Sequence, residues 1–281
     1  MRITGSARLS VAHWVIALLL SALVTFAAEV RVALFSDTHW APLTNKNQRA
    51  FRANLDKVIA AVNQAEVKLV VITGDLTENG KTEEYREVKQ KFAELKAPTL
   101  WIPGNHDVGA KIIPTGKRKG VTSASVQRYE AIMGPSSFCR EESGVRVIGI
   151  NSALLGSGLP EEQALWGLLE KALAKPGDKP TLLLTHYPLY VEQPDEPGGE
   201  YWNVEPEPRQ RLLKLLKQGG VKAVLSGHLH RTVTNSLDGM AMITTTSVAF
   251  GLPSLLQPDA WTLLTVPATG NITYEFKKLE E

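Results

Sequence analysis

Three observations predict an α/β fold with a site at the ends of its strands. Short apolar, β-branched runs alternate with stretches of helical periodicity, the pattern of largely parallel or mixed sheets with helices outside them. The runs stop at motifs rich in glycine, aspartate and histidine, and all five histidines beyond residue 28 lie in those motifs. The chain is 43% apolar and 21% charged, which fits a folded domain and excludes a disordered or collagen-like one. Its 281 residues allow one or two domains of roughly 100–200 residues. The unbroken alternation favours one, over residues 29–281.

Val30-Arg-Val-Ala-Leu-Phe35 reads as a buried strand that stops at Ser36-Asp37. Phe51, Leu55, Val58, Ile59 and Val62 share one face of a helix from about Gln48 to Ala65. Lys68–Thr73 is the second strand, followed at once by Gly74-Asp75. A polar helix over Thr82–Leu95 leads to a third strand, Pro98–Ile102, closed by Pro103-Gly-Asn-His-Asp107. A helix is expected over Val121–Met133, and a strand over Val145–Ile150 ending at Asn151. Pro160 opens a helix through Leu173, with proline in its first turn and Pro176-Gly177 beyond its end. Thr181–Thr185 delivers His186. A leucine-rich helix around Leu212–Leu216 ends at Gly219-Gly220, and Val221–Leu225 precedes Gly227-His228-Leu-His230. Ala241–Phe276 reads as three strands, with Asp238-Gly239 and Thr269-Gly-Asn271 as turns. Glu192–Gly199, rich in proline, glycine and acids, is expected to be a surface loop.

Arg2 and Arg8 precede an apolar run from about Val11 to Ala28, read as a secretory signal peptide over residues 1–28. A retained anchor is the alternative, because the run is near the lower limit of roughly 17 residues for crossing a bilayer. The expected location is therefore secreted or periplasmic, with no stable membrane partner unless the leader is uncleaved. Without the leader, Lys+Arg falls from 31 to 29 against 29 acids, so the mature chain is formally neutral. No nucleic-acid partner is expected, since such binding needs a concentrated basic surface and only Lys117-Arg-Lys119 is clustered. The single cysteine, Cys139, cannot close an intrachain disulfide and is expected to be a small buried apolar residue.

Ligands of open α/β sheets gather beyond the carboxyl ends of the strands, so motifs at five strand ends can converge on one crevice. Asp37, His39, Asp75, Asn105, His186, His228 and His230 supply seven imidazole, carboxylate and amide donors. Seven exceed one tetrahedral ion and suit a pair sharing a bridging carboxylate, an arrangement that clamps the attacking and leaving oxygens of an in-line displacement. Taken singly, Asp37, Asp75 and Asn105 fit turn or cap residues and His186 a satisfied core histidine. Independent caps have no reason to use every mature-chain histidine.

In this order, Asp-x-His, Gly-Asp, Gly-Asn-His-Asp, His and Gly-His-x-His resemble the calcineurin-like metallophosphoesterase superfamily, from about residue 30 to residue 231. The resemblance implies a four-layer αββα sandwich of two mixed β-sheets. It assigns Asp37, His39 and His230 to a first metal, Asp75 to the bridge, and Asn105, His186 and His228 to a second. The cofactors implied are two divalent or trivalent ions of Fe, Mn or Zn, with hydroxide held between them as nucleophile and inversion at phosphorus. His106, outside the ligand count, is implied to donate a proton to the leaving oxygen or to stabilise the transition state. Glu78, three residues after the bridging aspartate, or Asp107 would orient it. The purple acid phosphatases carry tyrosine at the Glu78 position and lack a histidine where His39 stands, so this chain departs from them. Tyr201-Trp-Asn203 after an acidic loop is similar to a metazoan calcineurin-like protein phosphatase subgroup.

The expected function is metal-dependent hydrolysis of a small-molecule or protein phosphoester. A phosphomonoesterase is the first expectation, a phosphodiesterase, for instance on cyclic nucleotides, the second, and a metal- or phosphate-binding protein without turnover the third. Asn151 is expected near the metals or in a turn. Tyr187, Tyr190, Tyr201 and Trp202 are expected to pack or to face substrate.

Overall fold

The computed structural model describes residues 29–44, 47–112, 119–252 and 260–279. The leader reading falls on residues 1–28, and Lys117 and Arg118 of the basic cluster on 113–118, all outside the described residues. In chain order the elements are β1 (Val30–Phe35), α1 (Gln48–Gln64), β2 (Leu69–Ile72), α2 (Thr82–Phe92), β3 (Thr99–Trp101), α3 (Asn105–Val108), α4 (Ser123–Met133), β4 (Phe138–Glu142) and β5 (Val145–Gly149). They continue with α5 (Pro160–Ala172), β6 (Thr181–Leu184), α6 (Pro206–Gln218), β7 (Val221–Ser226), β8 (Val233–Leu237), β9 (Met240–Thr244), β10 (Ala260–Val266) and β11 (Thr273–Lys278).

Two mixed sheets result. One has the order β11-β10-β1-β2-β3, with β1, β2 and β3 parallel and the last two strands antiparallel. The other has the order β4-β5-β6-β7-β9-β8, with β5, β6, β7 and β9 parallel and both edges antiparallel. Strand alternation separates the two faces of each sheet. Val32, Leu34, Val71, Val147, Leu182, Leu184 and Leu225 form a core between the sheets. Their neighbours Ala33, Phe35, Val70, Ile148, Leu183 and Val224 point the opposite way, to Leu55, Val58, Tyr85, Leu169, Leu212 and Leu216 on the helices. The sandwich therefore has the expected αββα layers. The carboxyl ends of both sheets open to one side, where Ser36 after β1 bridges Ser247 after β9.

Two strands went unread in the sequence, β4 and β8. Both are edges: three of five β4 residues are exposed, and β8 has no fully buried position, so neither carries an apolar run. Cys139 lies on β4 and is exposed, contrary to the expectation of a buried residue. Its neighbours Arg140 and Glu141 are exposed with it.

Candidate metal centre

The loops after β1, β2, β3, β6 and β7 are joined by main-chain N–H groups that donate to the carbonyls and carboxylates of neighbouring loops. Asp37 N–H donates to Gly74 O (2.9 Å) and His39 N–H to Asp75 O (3.0 Å), laying the first two loops side by side. His228 N–H donates to Asp37 Oδ2 (3.1 Å) and Gly227 N–H to His186 O (3.1 Å), adding the loops after β7 and β6. A β-carbon at Gly104 would collide with Asp75, and one at Gly227 with Ser36 and Asp37, so only glycine lets these loops close. Five of the seven expected donors have left-handed backbones: Asp37 (φ 56), His39 (φ 46), Asp75 (φ 47), His228 (φ 70) and His230 (φ 51). Non-glycine residues adopt this region at a cost and cluster there at working sites.

The hydrogen bonds fix the tautomers. His39 Nδ1 faces the Glu78 carboxylate (2.8 Å), His186 Nδ1 the carbonyl of Thr73 (2.8 Å), His228 Nε2 that of Tyr201 (3.2 Å) and His230 Nδ1 that of Phe250 (3.0 Å). Those oxygens only accept, so each outer nitrogen carries the proton and each inner nitrogen turns a lone pair inwards. His39 Nε2 and His230 Nε2 then face each other at 3.1 Å, and His186 Nε2 faces His228 Nδ1 at 3.2 Å. His186 Nε2 also lies 3.0 Å from Asn105 Oδ1 and 3.3 Å from Asp75 Oδ2, two more acceptors. Lone pairs so close together repel unless a cation lies among them.

The donors form two buried clusters, Asp37, His39, Asp75 and His230, and Asp75, His186 and His228, with atoms within 4.8 Å of one another. Asp75 belongs to both, and its Oδ2 is 3.3 Å from His186 Nε2 and 3.9 Å from His39 Nε2. A third, half-buried cluster of His39, Glu78 and His106 shares only His39, whose Nδ1 is already committed to Glu78. Burial opposes the Asp37 charge, but the His230 imidazole holds its carboxyl down to about 2. Burial likewise opposes Asp75, and His186 holds it well below the usual carboxylate range. Burial and the neighbouring His186 imidazole push His228 down to about 3, which keeps its ring neutral. Asp37 Oδ1 is buried with no hydrogen-bond partner. Two buried carboxylates, inward lone pairs and an orphaned carboxylate oxygen fit divalent cations.

His106 stands at the edge of the donors, its ring edge-on to His39 with centroids 4.6 Å apart. Its N–H donates to Asp75 Oδ1 (2.8 Å), and its Nδ1 donates to the main-chain carbonyl of Glu78 (2.9 Å). The Glu78 carboxylate is 3.8 Å from that nitrogen and bonds His39 instead, so the backbone of Glu78 orients His106 and its side chain orients His39. Asp107 does not orient the His106 ring. Its carboxylate accepts from the N–H groups of Leu76, Thr77 and Gly104 and from the Thr77 hydroxyl, clamping the loop after β2 to the loop after β3. Burial and the Asp75 charge push it up to about 6 while these four donors favour its ionised form. Asn151 takes the turn role, its Oδ1 accepting from Ala153 N–H.

Tyr187 and Tyr190 are buried, whereas Tyr201 and Trp202 line the cleft beside Phe51 and Phe250. Tyr187 packs against His228, with ring centroids 4.3 Å apart. Several supports carried no motif. Gln48 is buried and donates to the carbonyl of His39 (2.7 Å). Lys111, also buried, binds the carbonyl of Asn203 and Glu205 Oε1 (2.7 Å). Arg209 is wholly buried and binds the carbonyls of Leu189, Val204 and Glu196. Arg209 shares the apolar stripe of Leu212 and Leu216, a signal readable in the helix periodicity.

Comparison with known proteins agrees with this geometry. Residues 30–232 match the family described as calcineurin-like phosphoesterase. A probable glycerophosphodiester phosphodiesterase of Arcobacter nitrofigilis is 33% identical over 82% of this chain and 82% of its own. A serine/threonine-protein phosphatase of Danio rerio is 29% identical over 68% of this chain, a match spanning 64% of that protein. Among solved structures, a purple acid phosphatase of yellow lupin superposes over 90% of this chain and 52% of its own, with TM-score 0.63 and 18% identity, a likeness of fold. By its fold, its buried donor clusters and these relatives, the chain belongs to the calcineurin-like phosphoesterases, hydrolases of phosphoric esters that use two divalent metal ions.

Proposed function

We propose that this enzyme hydrolyses phosphodiesters in preference to monoesters. Asp37, His39 and His230 would hold one ion, Asn105, His186 and His228 the other, and Asp75 would stand between them. The observation that carries the preference is the charge of the cleft wall. Among the described residues the lining is histidine, amide, acid, aromatic and one leucine, including Asn47, Gln48, Phe51, Trp202, Phe250 and Leu252, with no lysine or arginine. A phosphomonoester brings ~1.5–2 negative charges at neutral pH, a diester one. A wall without fixed cations suits the singly charged ester, and the diesterase named among the relatives supports this reading. Lys119 and Arg128 line an adjoining cavity, which shares Glu78, Asn105, His106 and Tyr201 with the cleft, and not the cleft itself.

Bound in these clusters, the ions would polarise the phosphoryl oxygens and bring the pKa of water towards ~7. His106 supplies the acid. With Nδ1 donating to the Glu78 carbonyl, its Nε2 is left to protonate the departing alkoxide oxygen. Burial works against its protonated form, and the nearby Asp75 charge and that carbonyl outweigh burial and raise its pKa. The test is turnover of bis(p-nitrophenyl) phosphate and p-nitrophenyl phosphate by Mn²⁺-loaded protein. A diester kcat/KM higher by about tenfold or more is expected, equivalent to ~1.4 kcal/mol of transition-state preference. A monoester preference, or no turnover of either, rejects the proposal.

A further inference from the structure

Behind Trp202 and Leu252, which also line the metal cleft, a second cavity of about 610 Å³ opens. Its body is apolar, with Val191, Trp202, Leu229 and Leu252 in the walls, and most of its polar groups accept hydrogen bonds. Among the described residues the exposed carboxylates of Glu192 and Glu200 take part in no hydrogen bond or ion pair. Asn203 is buried, its amide nitrogen is bound to Glu196, and its Oδ1 has no partner. Among the described residues Arg231 is the only cation in the lining. Trp202 is 51% exposed, which leaves surface for a ligand.

The cavity is also tied to the metal centre. The carbonyl of Tyr201, the neighbour of Trp202, fixes the tautomer of His228, and buried Lys111 and Arg209 hold the surrounding chain at Asn203, Val204 and Glu196. We propose that this cavity receives one alcohol substituent of the diester, and that the substituent is an alkylammonium, an apolar stem ending in a cationic amine. The stem matches the apolar walls, and the ammonium matches two exposed carboxylates and the exposed indole of Trp202, tryptophan being the best aromatic partner for a cation. The inference rests on the diesterase reading and adds the chemistry of the substituent.

Three chromogenic diesters test it with the metal-loaded protein: p-nitrophenyl phosphocholine, its uncharged isostere p-nitrophenyl 3,3-dimethylbutyl phosphate, and an analogue of similar length ending in a carboxylate. The choline ester is expected to have a kcat/KM about five- to tenfold above the isostere, mostly through KM, as one cation–aromatic contact with nearby carboxylates provides. Glu192→Gln with Glu200→Gln should reduce that preference to about twofold or less, the residue left by Trp202. Equal turnover of the choline ester and its isostere overturns the proposal, as does a preference for the carboxylate ester, which would make Arg231 the reader. If p-nitrophenyl phosphate is hydrolysed and none of the diesters is, the diesterase reading itself fails and this inference falls with it.

Discussion

The floor of the cleft and its wall are built by different means. The floor is five strand-end loops locked by main-chain N–H groups bonded to carbonyls and buried carboxylates, with left-handed backbones at five donors and glycines where loops touch. One part of the wall is the stretch from Val191 to Glu205, without regular structure and held from behind by Lys111 and Arg209, two buried cations outside the cleft lining. The floor sets which atoms can be held and the wall sets what can lie beside them. Reaction type therefore follows from residues at strand ends, and specificity from long-range contacts.

The sharpest way to break this contrast is Asp75→Asn. The Asp75 carboxylate serves both donor clusters, so metal and diester turnover should fall together, turnover by more than about 10³-fold. Metal analysis of protein purified without chelators, alongside the rate, checks this. His106→Ala should separate the two readouts: metal content stays and kcat falls by about 10²–10⁴-fold. Lys111→Met acts on the wall. Removing one partner of the buried Lys111–Glu205 pair should lower stability by about 3 kcal/mol, read from the urea midpoint, while the ligands remain in place. A variant that lost metal before it lost stability would show that wall and floor are not separate.

Glu78→Gln lies where the two regions meet. It weakens the hydrogen bond that orients His39, and metal affinity should drop by about 10–100-fold in a calorimetric titration. Arg211→Ala, which breaks an exposed pair with Glu170, should change stability by less than about 1 kcal/mol and leave turnover unaltered.

The floor was largely legible in the sequence because its donors sit at strand ends, so Asp37, Asp75, Asn105, His186 and His228 follow apolar runs closely. The alternation of strands and helices was legible from the same apolar runs, whereas the αββα layers were implied by the family resemblance that the motifs carry. The carbonyls of Thr73, Tyr201 and Phe250 that orient the histidines were not, since any residue supplies a carbonyl. Edge strands β4 and β8 lacked an apolar run, and Cys139 was misread with them. Lys111 escaped notice because its partners are 92 and 94 residues away in the chain. Asp107 was linked to His106 by adjacency, whereas its carboxylate holds loops together.

The central claim is that the donors on the floor hold two ions and that His106 stands outside them. Counting Mn²⁺ bound per chain in the wild type and in His106→Ala, with diester turnover measured on the same samples, tests it most directly. Two ions in both proteins, with turnover lost only in the variant, is the predicted result. Loss of an ion in His106→Ala, or full turnover by a chain holding one ion, would contradict it.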